Sequence, residues 1–150
     1  MIAIKKILFG TDFSECAKAA QDYAAQFAEQ FHAELHLLHV LPDVAMMMPD
    51  PGTALSLPQN YMLDIKNEAE RSLGKLLPDA AKAGVTIVRS VRMGNPFVEI
   101  VKYAEETGID LIVVGTHGRG ALMHVLMGSI AEKVVRKSPC PVLTVRPHGK

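Results

Sequence analysis

Short runs of apolar residues alternate along this chain with longer stretches in which apolar residues recur at helical spacing. Ile4 to Phe9 is the first such run, a strand closed by Gly10-Thr-Asp-Phe-Ser14. Asp12 or Ser14 suits the cap of a following helix, because a short polar side chain can accept from amides that lack an intrahelical partner. Ala20, Ala24, Phe27 and Phe31 follow at steps of four, three and four, which marks one buried face of that helix.

Leu35 to Leu41 reads as a second strand, stopped by Pro42-Asp43. From there to about Asn60 the chain holds Pro42, Pro49, Pro51, Pro58 and the run Met46 to Met48, a long loop of the kind that is usually functional or mobile. A long helix is expected over 61–83, with Ala69, Leu73, Leu76, Leu77 and Ala80 inward and Pro78 kinking or dividing it. Val85 to Val91 is a third strand, closed by Met93-Gly-Asn-Pro96. Pro96 fits the first turn of a helix whose stripe is Phe97, Ile100, Val101 and Ala104. Asp110-Leu-Ile-Val-Val-Gly115 is the clearest buried strand; a glycine-rich loop, a helix over 129–137 and a last strand over 141–145 complete the chain.

Strands and helices thus alternate as βαβαβαβαβ, with no repeat, linker or low-complexity tract. Short apolar strands separated by helices predict a doubly wound α/β domain over 1–150: a five-stranded parallel sheet with helices on both faces. Composition narrows the function. Sixteen Lys and Arg balance sixteen Asp and Glu, so the chain lacks the excess positive charge that draws proteins onto nucleic acid or anionic lipid. The N-terminal apolar run is too short for a signal peptide, and no run approaches the ~20 residues of a membrane span, so a cytoplasmic protein is expected. Cys16 and Cys140, far apart and without histidines at metal-ligand spacing, read as two reduced thiols.

In such a sheet, ligands bind beyond the carboxyl ends of the strands, where the strand order reverses. The fourth strand runs there into Gly115-Thr-His-Gly-Arg-Gly120, and Gly128-Ser129 follows where the next helix starts. Glycines let a backbone turn tightly and leave amides open to an anion, and a helix start adds amides and a positive dipole end. Two amide clusters gripping one polyphosphate is the reading this favours over a plain flexible connection. The chain has no G-x-x-x-x-G-K-[ST], and its first strand is not followed by G-x-G-x-x-G, which excludes a P-loop and a dinucleotide fingerprint.

Other residues have two readings each. Asp12 is a site carboxylate or only a helix cap, and His117 is a phosphate neighbour or a solvated loop residue. His36 and His39, three apart on a strand, point to opposite faces and do not share a metal. Met46 to Met48 packs onto its own domain or forms an adaptable surface. Lys133, Arg136 and Lys137 complement the dipole of the last helix.

The spacing Gly115-x2-Gly118-x9-Gly128-Ser129 resembles the G-2x-G-9x-G-[ST] motif of ATP-binding universal stress proteins. Gly10-Thr-Asp-Phe-Ser14, His39-Val-Leu-Pro42, Gly94-x-Pro96 and Pro139-Cys-Pro-Val-Leu-Thr-Val145 are similar to the same family, so the resemblance covers the whole chain. It implies an adenine nucleotide alpha hydrolase-like fold that binds ATP, with Mg²⁺ carried by the phosphates and no metal ligand from the protein. It also implies roles: Thr11 and Asp12 beside the nucleoside, the Val40 backbone on the adenine edge, and Gly115 and Gly118 by ribose and phosphates. Gly128 and Ser129 would hold phosphates, with Ile130 and Ala131 adding backbone amides; Gly10, Thr116 and His117 complete the expected site. Many relatives carry a hydroxyl where this chain has Ala131. The family further implies a homodimer through Val142, Leu143, Thr144 and Val145, and a regulatory role with an unknown protein partner. Slow ATP hydrolysis, adenylyl transfer and a structural dimer without nucleotide are the alternatives.

Overall fold

The structure, a computed structural model, describes residues 1–43, 48, 50, 52, 57–118 and 127–147. Met46 and Met47, and Arg119 and Gly120 of the glycine-rich loop, lie outside the described residues. Five strands form one sheet: β1 (Lys6–Gly10), β2 (Glu34–Leu41), β3 (Ile87–Met93), β4 (Leu111–Gly115) and β5 (Val142–Val145). Their order is β3-β2-β1-β4-β5 and every pairing is parallel. The chain winds outward from β1 in one direction through β2 and β3, then returns to the other side for β4 and β5. The order therefore reverses between β1 and β4.

Between the strands lie α1 (Lys18–Phe31), α2 (Tyr61–Gly74), α3 (Pro78–Lys82), α4 (Pro96–Thr107) and α5 (Ser129–Lys137). Successive residues of a strand face opposite ways, so each strand feeds two cores. Ile7, Phe9, Leu35, Leu37 and Val113 join Ala20, Ala24 and Leu73 on the face covered by α1 and α2. Leu8, Leu38, Val40, Ile112 and Val114 join Ile100, Ala104 and Val134 on the face covered by α4 and α5. Burial on both faces is why β1 and β4 are apolar at nearly every position rather than alternating.

Several boundaries shift from the expected ones, each for a local reason. The first helix opens with a 3-10 turn over Glu15–Ala17. Ser14 does not cap it: its Oγ is buried without a hydrogen-bond partner among the described residues. Asp12 closes the turn that precedes the helix, accepting the Ser14 amide at Oδ1 (2.9 Å). The expected helix over 61–83 is divided at Pro78, the first residue of α3. Leu77 sits in the left-handed region (φ 56°), consistent with the clash that keeps a residue before proline out of the helical well. Arg89 on β3 closes the break by donating from Nε to Leu73 O (2.9 Å) and from Nη2 to Leu76 O (3.1 Å). Strand β3 begins two residues late, because the Val85 amide is still bonded to Ala80 O.

The two strand histidines do point apart. His36 lies between Tyr103 on α4 and Glu34, while His39 packs on Phe13 across the sheet. Strand β5 occupies one edge of the sheet and β3 the other.

Candidate functional site

A cleft of about 410 Å³ opens at the carboxyl end of the sheet, over the reversal between β1 and β4. That size falls within the roughly 300–1,000 Å³ of ordinary small-molecule sites. Three stretches far apart in sequence converge there: the turn after β1, the end of β2, and the loop from β4 into α5.

The turn after β1 brings Gly10, Thr11 and Asp12 to the rim. Thr11 is buried, and its amide extends the ladder by donating to Leu38 O (2.9 Å). Its hydroxyl accepts the Phe13 amide (3.0 Å). Asp12 is thus both a turn-capping residue, through Oδ1, and a residue of the cleft, where Oδ2 faces Gly118. A carboxylate has two oxygens, so closing the turn with Oδ1 is compatible with Oδ2 facing the cleft.

Val40 contributes through its backbone. Leu38 O points to the β1 side, where it meets Thr11, whereas Leu41 O points to the β3 side, where it accepts from Gly94. Alternate strand residues point the same way, so the Val40 amide and carbonyl face the β1 side. The β1 ladder ends at Gly10, opposite Leu38, leaving the Val40 groups to face the cleft.

From β4, Gly115, Thr116, His117 and Gly118 form the opposite wall. Thr116 organises it. Its amide donates to Val145 O (2.9 Å), its carbonyl accepts the Gly128 amide, and its Oγ1 lies 2.9 Å from His117 Nδ1. His117 is only 9% exposed, which overturns the reading of a solvated loop residue; the Thr116 hydroxyl orients its ring.

The glycines earn their places by close approach and not by left-handed backbone. A Cβ on Gly118 would fall 2.7 Å from Asp12 Oδ2, one on Gly128 3.0 Å from Thr116 O, and one on Gly115 3.2 Å from Cys16 O. None of the three has positive φ.

Helix α5 begins at Ser129, with Ile130 and Ala131 next, and all three line the cleft. The first amides of a helix lack intrahelical acceptors, so this end presents N–H groups and the positive dipole end. The Gly128 amide is not one of them, being engaged by Thr116 O. Ala131 is buried against the α4 core, filling its position with a methyl group.

All twelve expected site residues therefore border one cleft. Ala17, Leu38, Pro96, Ile100, Val114 and Met127 also line it and were not foreseen. Leu38 was accessible from its parity with Val40, and Ile100 from the stripe following Pro96. Pro96 belongs to the Gly94-x-Pro96 segment of the resemblance, and Ala17, Val114 and Met127 show no such signal. Among the described residues, no three His, Cys, Asp or Glu side chains gather as a metal site. Burial pushes the Cys140 thiol above its ordinary range, against the opposing Ser138 hydrogen bond. No described helix is long and apolar enough to cross a membrane.

The model of the universal stress protein family matches residues 3–146. The chain is 32% identical to the universal stress protein MJ0577 of Methanocaldococcus jannaschii, over 97% of this chain and 96% of that one. It is 34% identical to the universal stress protein YxiE of Bacillus subtilis, over 94% and 98%. The solved structure of MJ0577 superposes with a TM-score of 0.86 at 31% identity, covering 99% of this chain and 100% of that chain. A universal stress protein solved in complex with cAMP superposes with a TM-score of 0.63 at 28% identity, covering 97% and 99%. With the five-stranded parallel sheet, the reversal between β1 and β4 and a full-length match to its relatives, this chain belongs to the universal stress protein family.

Proposed function

We propose that the cleft binds ATP and that nucleotide occupancy, rather than turnover, is the function. The observation that carries this reading is the convergence of two phosphate-compatible backbone segments, Gly115–Gly118 and the start of α5, on one cleft at the strand reversal. The cAMP complex of a relative supports an adenine nucleotide as the class of ligand. In this reading the Val40 backbone meets the adenine edge, Thr11 and Asp12 lie beside the nucleoside, and Ser129, Ile130 and Ala131 donate to phosphates. Gly10, Thr116, His117 and Gly128 shape the walls. Mg²⁺ is held by the phosphates.

Calorimetry tests it. ATP should bind more tightly than AMP, and more tightly with Mg²⁺ than without; GTP should bind more weakly than ATP. Equal affinity for ATP and AMP, or none for either, would sink the proposal.

Turnover is expected below roughly one per minute, against the ~1–10³ s⁻¹ of committed enzymes. Asp12 is the one carboxylate among the described lining residues, and its Oδ1 is already engaged by Ser14. The oriented His117 favours slow hydrolysis as the second reading. A single-turnover assay with labelled ATP separates the two: rapid hydrolysis removed by His117→Ala, with binding retained, makes this an enzyme.

The β5 edge completes the proposal. An exposed strand edge offers a row of unpaired backbone groups, and Val142, Leu143 and Thr144 are only half-buried, which suits pairing with a second copy. Sedimentation should give a homodimer, and deletion of residues 142–150 should give monomers or insoluble protein. A full-length monomer at micromolar concentration overturns the dimer. A homodimer whose cleft changes with ATP would present a protein partner with an altered surface.

A further inference from the structure

Asp12 sits in a turn that needs holding. Phe13 has φ 63°, a left-handed backbone that bulky side chains avoid, so this turn persists only where its surroundings over-determine it. Local bonds hold part of it, from the Phe13 amide to Thr11 Oγ1 and from the Ser14 amide to Asp12 Oδ1. The rest comes from behind the sheet.

His39 Nδ1 lies 2.8 Å from Thr11 O. A carbonyl can only accept, so Nδ1 carries the proton and donates. The same ring packs against Phe13, with centroids 4.4 Å apart at 34°, covering the strained residue. Side chains alternate along β2, so His39 projects from the face opposite Leu38 and Val40, which line the cleft. The peptide between Thr11 and Asp12 is trans, which sets the Thr11 carbonyl and the Asp12 amide in opposite directions. With the carbonyl drawn to the far face, the amide of the same trans peptide, that of Asp12, points the opposite way, toward the cleft face.

We propose that His39 is a positioning residue for the nucleotide site, acting through Thr11 and Phe13 to set Asp12 from the far side of the sheet. The inference rests on the ATP reading of the cleft for its functional consequence, but its structural half stands apart from that reading. The role needs a donor at the position of Nδ1. An asparagine, which also donates from the second atom beyond Cβ, should replace it in part.

The test combines spectra and titrations on the full chain. The imidazole ¹⁵N spectrum of the unaltered protein should show His39 protonated at Nδ1; a proton on Nε2 alone overturns the proposal. His39→Ala should shift the amide resonances of Asp12 and Gly118 and weaken ATP about tenfold, the loss of one ordinary hydrogen bond. Affinity for inorganic tripolyphosphate, which meets only the β4–α5 side, should stay unchanged. His39→Asn should recover most of the ATP affinity. Equal losses for ATP and tripolyphosphate, or unshifted amides, mean that His39 is merely structural. If the unaltered protein binds no ATP, the ATP reading falls, and the Nδ1 proton with the two amide shifts then decides the positioning role.

Discussion

Gly115, Gly118 and Gly128 at the cleft differ from Gly84 and Gly108 at two turns in what a side chain would cost, while Gly94, with φ +144° and Glu99 Cγ 3.2 Å from a Cβ, combines both constraints. Gly84 and Gly108 have φ of +97° and +67°, and nothing lies within 4 Å of where a Cβ would stand. Gly115, Gly118 and Gly128 show the reverse: their backbone is open to any residue, but a Cβ would press on the Asp12 carboxylate or on backbone carbonyls. At the turns glycine answers a demand of the chain on itself. At the cleft it lets three separate segments come closer than side chains permit. Substitutions in the first group should therefore lower stability without touching the site, and those in the second should damage the site while sparing the fold.

Gly118→Val is the severest break of this comparison. Its branched side chain would displace Asp12 and fill the space between the β1 turn and the β4 loop, and ATP binding should vanish in calorimetry while circular dichroism stays native. Gly118→Ala places a single carbon 2.7 Å from Asp12 Oδ2, the mobile end of a side chain. An overpacking cost of about 1–3 kcal/mol, borne by the bound state, corresponds to a loss of roughly five- to 150-fold in ATP affinity. If Gly118→Ala binds as well as the parent, the close approach is dispensable.

Gly128→Ala is gentler. The Cβ would stand 3.0 Å from Thr116 O, and the backbone (φ −68°) accepts alanine. A few tenths of an ångström of movement at the start of α5 should weaken ATP by about fivefold, at the lower end of the overpacking range. Affinity equal to that of Gly118→Ala would place the two glycines in one coupled unit.

Gly108→Ala sharpens the other side of the comparison. Gly108 ends α4 in the left-handed region, with its amide on Ala104 O, and alanine there should cost about 1 kcal/mol in urea unfolding. ATP affinity should not change; a fall in affinity would join the turn to the site.

The smallest effect concerns charge on the same limb. The Arg92 guanidinium, 2.7 Å from Glu106, holds that carboxyl below its ordinary range. With the folded pKa depressed, the pair contributes above the unfolded pKa, and the contribution is lost as pH falls through the folded one. Arg92→Gln should raise the Glu106 titration midpoint in NMR spectra, with little change in stability because the carboxylate is exposed. An unmoved midpoint would deny the ion pair.

These contrasts also show where reading the chain succeeds. The strands, the division at Pro78 and the loops that meet at the cleft follow from apolar runs, proline positions and glycine spacing, because each depends on neighbours in sequence. Tyr103 was missed as a core residue, since its hydroxyl bonds to His36 from another element, and no local pattern signals such a partner. The tight-turn part of the reading of these glycines does not hold, since none of Gly115, Gly118 and Gly128 has positive φ. Turn geometry is the local explanation, and a crowded Cβ is visible only once Asp12 and Gly118 face each other across the cleft.

The order of strands shows the same division. Alternating short apolar runs and amphipathic helices determine that the sheet is parallel and covered on both faces, since backbone pairing and burial leave few other arrangements. What the chain alone left undecided was how the polar residues of these loops divide their bonds. Asp12 capping its own turn with one oxygen, His117 held by its neighbour, and Thr11 grasped by His39 through the sheet are decided by atoms within about 3 Å of each other in the folded chain. Hydrogen bonding at that range depends on position to a fraction of an ångström, and only tertiary packing sets such positions.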